Sequence, residues 1–240
     1  PAPCVILTSE KLNKLKRHEQ FLLLNAHRQN DVYSTYSGWQ LYDLLEAVGA
    51  LGKMRYITVI SHDGFRKDYD RHEIYNPFPR TVFYGDMDRK KFLGDCPPWV
   101  VYPDKLPVGV ESGKEIPGEQ RLILADSKNG KPLVPLGRNE EGKLTGEGPL
   151  RTILPLRKNA PPDQSMKTSN PECPNPFNEN NHHNSGDCAR GVIAIAVHPL
   201  PKGTKEPDWQ SKADELLQSG SVMIFGAIEV ETPIKTSKTP

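Results

Sequence analysis

Proline and glycine punctuate this chain so densely that long helices have little room to form. Twenty-three prolines and 19 glycines fall among 240 residues. Proline removes a backbone donor and clashes with the preceding helical turn, while glycine adds chain entropy that a helix must overcome. Between these breaks the apolar residues come in short runs rich in β-branched side chains. ARGVIAIAVHPL and GSVMIFGAIEVETP are the strongest of them, and that composition suits strands. The expected class is therefore α+β, dominated by strands, with short helices and long loops.

The local signals predict an order of elements. TSEKLNKLKRHEQF starts with Thr8 or Ser9 as a helix cap and spaces Leu12 and Leu15 on one face, ahead of the strand FLLLNA. WQLYDLLEAVG sets Leu41, Leu44, Leu45 and Val48 on one helical face, with Gly49 at the C-cap. YITVISHDGF reads as a strand ending in a turn at His62-Asp63-Gly64. RLILADSKNGKPL gives a strand and an Asn129-Gly130 hairpin turn, and PLRTILPL a further strand. DWQSKADELLQSG suggests a short helix stopped by Gly220. Residues 76–119 read as loops with short strands. Residues 157–190, rich in Pro and Asn, read as an excursion with little that could enter a core. The expected organisation is one domain over 1–240, with the strands of 191–231 closing the chain and IKTSKTP as a disordered tail.

Charge and cysteines narrow the setting. Thirty-one Lys and Arg against 30 Asp and Glu leave a formal charge of +1, which offers nucleic acid or an anionic membrane no particular attraction. No apolar run approaches the roughly 18 residues of a transmembrane helix, so a soluble protein is expected. The four cysteines, Cys4, Cys96, Cys173 and Cys188, form no C-x-x-C pair, which excludes the usual haem attachment and disfavours a thiolate zinc site. Two disulfides, Cys173–Cys188 and Cys4–Cys96, are the expected arrangement. They imply an oxidising compartment, periplasmic or extracellular. The start PAPC, without Met or a basic-then-apolar leader, fits a processed, exported chain.

Single polar clusters say little alone. The adjacent His182 and His183 would chelate a metal only with further ligands that spacing does not supply. Arg66, Lys67 and Arg71 suit an anion or a solvated face, and Asp86 and Asp88 lie in a charged loop. No P-loop, dinucleotide, serine-hydrolase or zinc-protease motif occurs.

The order of four short motifs over residues 20–156 is more telling. Tyr36-Ser37-Gly38-Trp39-Gln40-Leu41 leads into Leu44-Leu45-Glu46-Ala47-Val48-Gly49. Asp63-Gly64-Phe65, Asn129-Gly130-Lys131-Pro132-Leu133 and Gly148-Pro149-Leu150-Arg151 through Pro155 follow. This series resembles the molybdopterin-binding domain of the sulfite oxidase family, where a tight turn opens the helix and the later motifs are turns around a pyranopterin pocket. The resemblance implies that strand-dominated fold. It also places the family's metal-ligand cysteine at Asn25, a carboxamide and hence a poor donor to a soft metal. The family's Val-Lys-Trp motif after the last proline is missing as well.

The retained residues have turn and packing roles, whereas the missing ones carry catalysis. The expectation is thus an exported, non-catalytic binding or assembly subunit, within a respiratory redox system, that carries no cofactor. A remnant pocket would be lined by Asn25, His27, Arg28, His62, Arg66 and Arg151, donors suited to an anion or a pyranopterin phosphate. Two rival readings stay open. One is an active molybdopterin-dependent oxidoreductase, with Arg66 and Arg151 steering an anionic substrate and His62 moving protons. The other is an extracellular structural protein that self-associates through the sheet edges of 191–198 and 221–231.

Overall fold

The computed structural model describes residues 1–26, 30–50, 52, 54–85, 100–162 and 183–229. The chain passes through β1 (Cys4–Leu7), α1 (Ser9–Leu12), β2 (His18–Leu24), β3 (Asp31–Gln40) and α2 (Leu41–Ala47). A β-hairpin of β4 (Tyr56–Ser61) and β5 (Arg66–Asp70) leads into α3 (Arg71–Tyr75), then β6 (Val100–Val101) and β7 (Ile123–Lys128). The short strands β8 (Lys131–Pro132), β9 (Gly137–Arg138), β10 (Leu144–Thr145) and β11 (Arg151–Ile153) follow. The described chain then gives β12 (Val192–His198), α4 (Ala213–Ser219) and β13 (Val222–Gly226). Strands dominate, sheets are mixed and the helices are short. Among the described residues no helix is long and apolar enough to cross a membrane.

Two sheets share one core. The first has the order β1-β13-β12-β4-β5, with β12 and β13 parallel and the other pairs antiparallel. The second has the order β11-β7-β3-β2, with β6 joined to β3 and β8 to β7. Leu22, Leu24, Tyr36 and Trp39 of the second sheet meet Ile57, Val59, Ile195, Val197 and Ile224 of the first, with Leu41, Leu44 and Leu45 of α2 between them. The far face of the first sheet, Ile193, Ala196, Met223 and Phe225, lies under Trp209 and Leu216. The unbroken apolar runs in β12 and β13 thus follow from burial on both faces. Phe21, Leu23 and Tyr33 on the outer face of the second sheet pack beneath Phe83, Val110, Ile116 and Leu156.

Many local expectations match these elements. Thr8 caps α1, its Oγ1 accepting from the Lys11 N–H at 3.4 Å. Gly49 and Gly220, with φ of 66° and 61°, lie where the sequence puts helix stops. Asn129 and Gly130 turn the β7–β8 hairpin with φ of 50° and 74°, the left-handed pair that a type I′ turn needs.

Two expectations need correction. Residues 36–41 are not a tight turn: Tyr36–Gln40 belong to β3, which sits between β2 and β7. Gly38 is required there by close approach, since a Cβ on it would stand 2.1 Å from the Leu124 carbonyl oxygen. The second correction concerns 157–190. Its far end is core, with Asn184 and Ala189 each 1% exposed and Cys188 6%, because this segment closes the gap between β2 and β11. Among the described residues Cys4, which is exposed, and Cys188, which is buried, form no disulfide. The partners expected for them, Cys96 and Cys173, lie outside the described residues, as do Asp86, Asp88, His182 and the IKTSKTP tail.

Candidate functional site

Asn184 ties three stretches of backbone together. Its Oδ1 accepts from the Asn25 N–H at 2.8 Å, and its Nδ2 donates to the Leu23 carbonyl at 3.0 Å and the Leu154 carbonyl at 2.8 Å. The Asn25 carbonyl in return accepts from the N–H groups of Asn184 and Ser185, at 3.2 and 3.0 Å. Four residues on, the Cys188 Sγ donates to the Asn184 carbonyl and accepts from the Leu154 N–H, both at 3.3 Å. Asp187 anchors the same 3-10 turn from outside, accepting from Lys67 Nζ and Arg157 Nη1 at 2.6 Å each. The Tyr69 hydroxyl donates to the Asp187 carbonyl, and the Ala189 N–H to Thr152 Oγ1 at 2.7 Å. Few backbone groups here are left to water, so the turn is held firmly.

Beside this turn opens a recess of about 320 Å³, lined by Leu24, Ala26, Asn30, Val32, Tyr36, Lys128, Glu147, Arg151, Ser185, Gly186 and Arg190. Sheet register brings its polar residues together. Tyr36 of β3 pairs with Lys128 of β7, whose Nζ lies 5.6 Å from the Tyr36 ring centre. Arg151 of β11 pairs with Ala125 of β7 on one side and bridges to Arg190 on the other. Glu147 stands between two cations: Lys128 Nζ reaches its Oε1 at 3.1 Å and Arg151 Nη1 reaches its Oε2. Among the described residues, three positive side chains and one carboxylate therefore line one recess.

The electrostatics favour a bound anion. The Arg151 side chain is only 7% exposed; its Nε and the Tyr36 hydroxyl are buried and reach no hydrogen-bond partner among the described residues, with the Glu147 carboxylate close to the hydroxyl. Arg190 makes no ion pair or hydrogen bond through its side chain to any described residue. Burial opposes the Arg151 charge, yet its pKa is raised, and the Glu147 carboxylate is the neighbour that carries negative charge while Tyr36 and Cys188 stay neutral. Burial pulls the Glu147 carboxyl upward, yet Arg151 and Lys128 prevail and hold it below its ordinary value. Burial pushes the Tyr36 hydroxyl well up, so it stays a neutral donor. Burial likewise raises Cys188 despite the charge of Arg151, keeping a neutral thiol.

The residues singled out from sequence do not converge on one place. Arg151 lines the recess. Asn25 adjoins it in sequence but is not among its lining. The residue is 0% exposed, and neither its Oδ1 nor its Nδ2 is hydrogen-bonded to a described residue. His27 and Arg28 lie outside the described residues. His62 pairs with Asp214 at 2.7 Å and borders a separate depression with Leu136 and Leu144. Arg66 is held bidentately by Glu206 at 3.0 and 2.9 Å and lies over Trp209. These two belong to the β4–β5 hairpin, at the edge of the first sheet, whereas β11 belongs to the second.

Tyr36, Lys128, Glu147 and Arg190 escape the sequence reading. Each sits beside a legible feature: Lys128 before the Asn129-Gly130 turn, Glu147 before the Gly148-Pro149 motif, Arg190 before the strongest strand. Their convergence depends on non-local pairing, for which no local signal exists. Comparison with family models, curated proteins and solved structures finds no match for this chain.

Proposed function

We propose that the chain is a non-catalytic binding protein that holds a compact anion in the recess between β2, β3 and β11. The observation that carries this reading is the pair of buried donors, Arg151 Nε and the Tyr36 hydroxyl, without a partner among the described residues, beside Arg190, whose side chain pairs with none of them. A buried donor without an acceptor costs about 1–3 kcal/mol, a cost that an oxyanion bound there would relieve. At about 320 Å³ the recess is at the small end of ligand sites.

The wider setting we put forward is a degenerate sulfite-oxidase-like domain that serves, outside the cytoplasm, as a binding or assembly subunit of a redox system. The ordered motifs support it: Gly38, Gly64 and Asn129-Gly130 all have backbone roles that do not need a cofactor. The metal end of molybdopterin does not suit these residues. No cysteine is among the described residues lining the recess. Cys188 is neutral and committed to Asn184 and Leu154, and Asn25 offers a carboxamide in place of a thiolate. The cations would accept an anionic group without any metal.

Calorimetric titration with inorganic phosphate, sulfate and acetate tests this. At least one is expected to bind with Kd below about 1 mM, and Arg190→Ala to weaken it at least tenfold with the circular dichroism spectrum unchanged. Binding of none, or binding unaffected by both Arg190→Ala and Lys128→Ala, overturns the reading. Stoichiometric molybdenum or tungsten in natively purified protein overturns its metal-free part.

A further inference from the structure

The recess is not uniformly positive, and the one carboxylate among its described lining residues sits among the cations rather than apart from them. Glu147 accepts from Lys128 at 3.1 Å and from Arg151. A carboxylate offers about four lone-pair positions, so these two bonds leave acceptor capacity on oxygens that still line the recess. An anion held by Arg151 Nε, the Tyr36 hydroxyl and Arg190 comes to rest beside that carboxylate. Two fully ionised oxyanions in contact repel each other. An oxyanion that keeps one O–H donates it to Glu147 instead, and the repulsive contact becomes a charge-assisted hydrogen bond.

Resting on the anion-binding reading above, we propose that Glu147 makes the recess selective for protonated oxyanions, hydrogen phosphate and the singly ionised form of its monoesters, over fully ionised ones such as sulfate. Inorganic phosphate retains at least one proton at neutral pH, and sulfate retains none. The two anions are otherwise alike in shape and size, so Arg151, Arg190, Lys128 and Tyr36 do not tell them apart. Only an acceptor fixed inside the site does so, because the wrong anion leaves it facing like charge without a hydrogen bond. Glu147 is fixed on both sides: its own N–H donates to the Val134 carbonyl at 2.9 Å, and its carbonyl accepts from the Gly191 N–H at 3.1 Å. No substrate bond forms or breaks in this scheme. The ligand's proton is shared with Glu147 and leaves with the ligand.

Competition calorimetry at pH 7 with inorganic phosphate and sodium sulfate tests this on the intact chain. The wild type is expected to prefer phosphate by about tenfold or more. In Glu147→Gln, which keeps the shape and removes the charge, sulfate is expected to bind at least as well as phosphate. Equal binding of the two anions by the wild type overturns the selectivity, and so does an undiminished phosphate preference in a folded Glu147→Gln. Binding of neither to the wild type is a different failure, that of the anion site itself. Should Glu147→Gln not fold, the wild-type preference alone still decides. Methyl phosphate titrated at pH 6, where its second ionisation is about half complete, separates the sources of this chemistry. Binding within tenfold of inorganic phosphate supports an ester head group, and exclusion of methyl phosphate supports the free ion.

Discussion

Asn184 holds Asn25 by its backbone, not its side chain: the Asn184 Oδ1 accepts from the Asn25 N–H at 2.8 Å, while the Asn25 carboxamide, buried in the core, bonds to no described residue. Asn184→Ala would strand that N–H together with the carbonyls of Leu23 and Leu154. At about 1–3 kcal/mol for each buried unsatisfied group, the expected destabilisation is about 3 kcal/mol or more. Urea unfolding checks it, and a loss below about 1 kcal/mol would show that water replaces the side chain at little cost.

The ion pairs of Asp187 set an acid limit on stability. Burial pulls its carboxyl upward, but Lys67 and Arg157 outweigh that and leave the pKa below its ordinary value. A folded pKa below the unfolded one contributes stability above the unfolded pKa of about 3.9, lost as pH falls through the folded value. Wild-type stability should therefore fall steeply below about pH 4. Urea midpoints between pH 6 and 2 should flatten in Asp187→Asn, and an unchanged slope would remove Asp187 from the account.

Gly38→Ala should be among the most damaging small substitutions in the chain. Its Cβ would stand 2.1 Å from the Leu124 carbonyl oxygen and 2.6 Å from the Ala125 Cα, both backbone atoms, so β3 and β7 must separate. A cost of about 3 kcal/mol is expected, read as a lowered urea midpoint or failure to accumulate folded protein.

Arg151 and Arg190 should part company when each is replaced by alanine. Removing Arg151 leaves Glu147, 24% exposed, with Lys128 as its one ion-pair partner among the described residues, an expected loss of about 2 kcal/mol. Removing Arg190 breaks no side-chain bond to a described residue, so stability should change by less than about 0.5 kcal/mol while anion binding falls. Thermal denaturation with and without phosphate measures both effects.

Local chemistry explains which elements can be read from the chain. The Thr8 cap, the Gly49 and Gly220 stops and the Asn129-Gly130 turn each depend on a few adjacent residues. β12 and β13 advertise themselves through continuous apolar runs buried on both faces. α3 escapes the sequence reading, although Asp70 and Glu73 form a full capping box at its start. β3 is harder: Asp31–Gln40 mixes Ser, Thr, Tyr and Gly without a clean alternation, because a register shift at Ser37/Gly38 interrupts the pattern.

The candidate site was legible at Arg151 and in the neighbourhood of Asn25, and hardly elsewhere. Tyr36, Lys128, Glu147 and Arg190 meet through the pairing of β3 with β7 and the bridge between Arg151 and Arg190. His62 and Arg66, chosen for their residue types, find acidic partners of their own in Asp214 and Glu206.

A crystal grown with saturating inorganic phosphate tests the central claim most directly. The account predicts a tetrahedral anion within hydrogen-bonding distance of Arg151 Nε, the Tyr36 hydroxyl and Arg190, with one oxygen against Glu147. Water alone in the recess, with phosphate bound at saturation elsewhere on the chain, would contradict it.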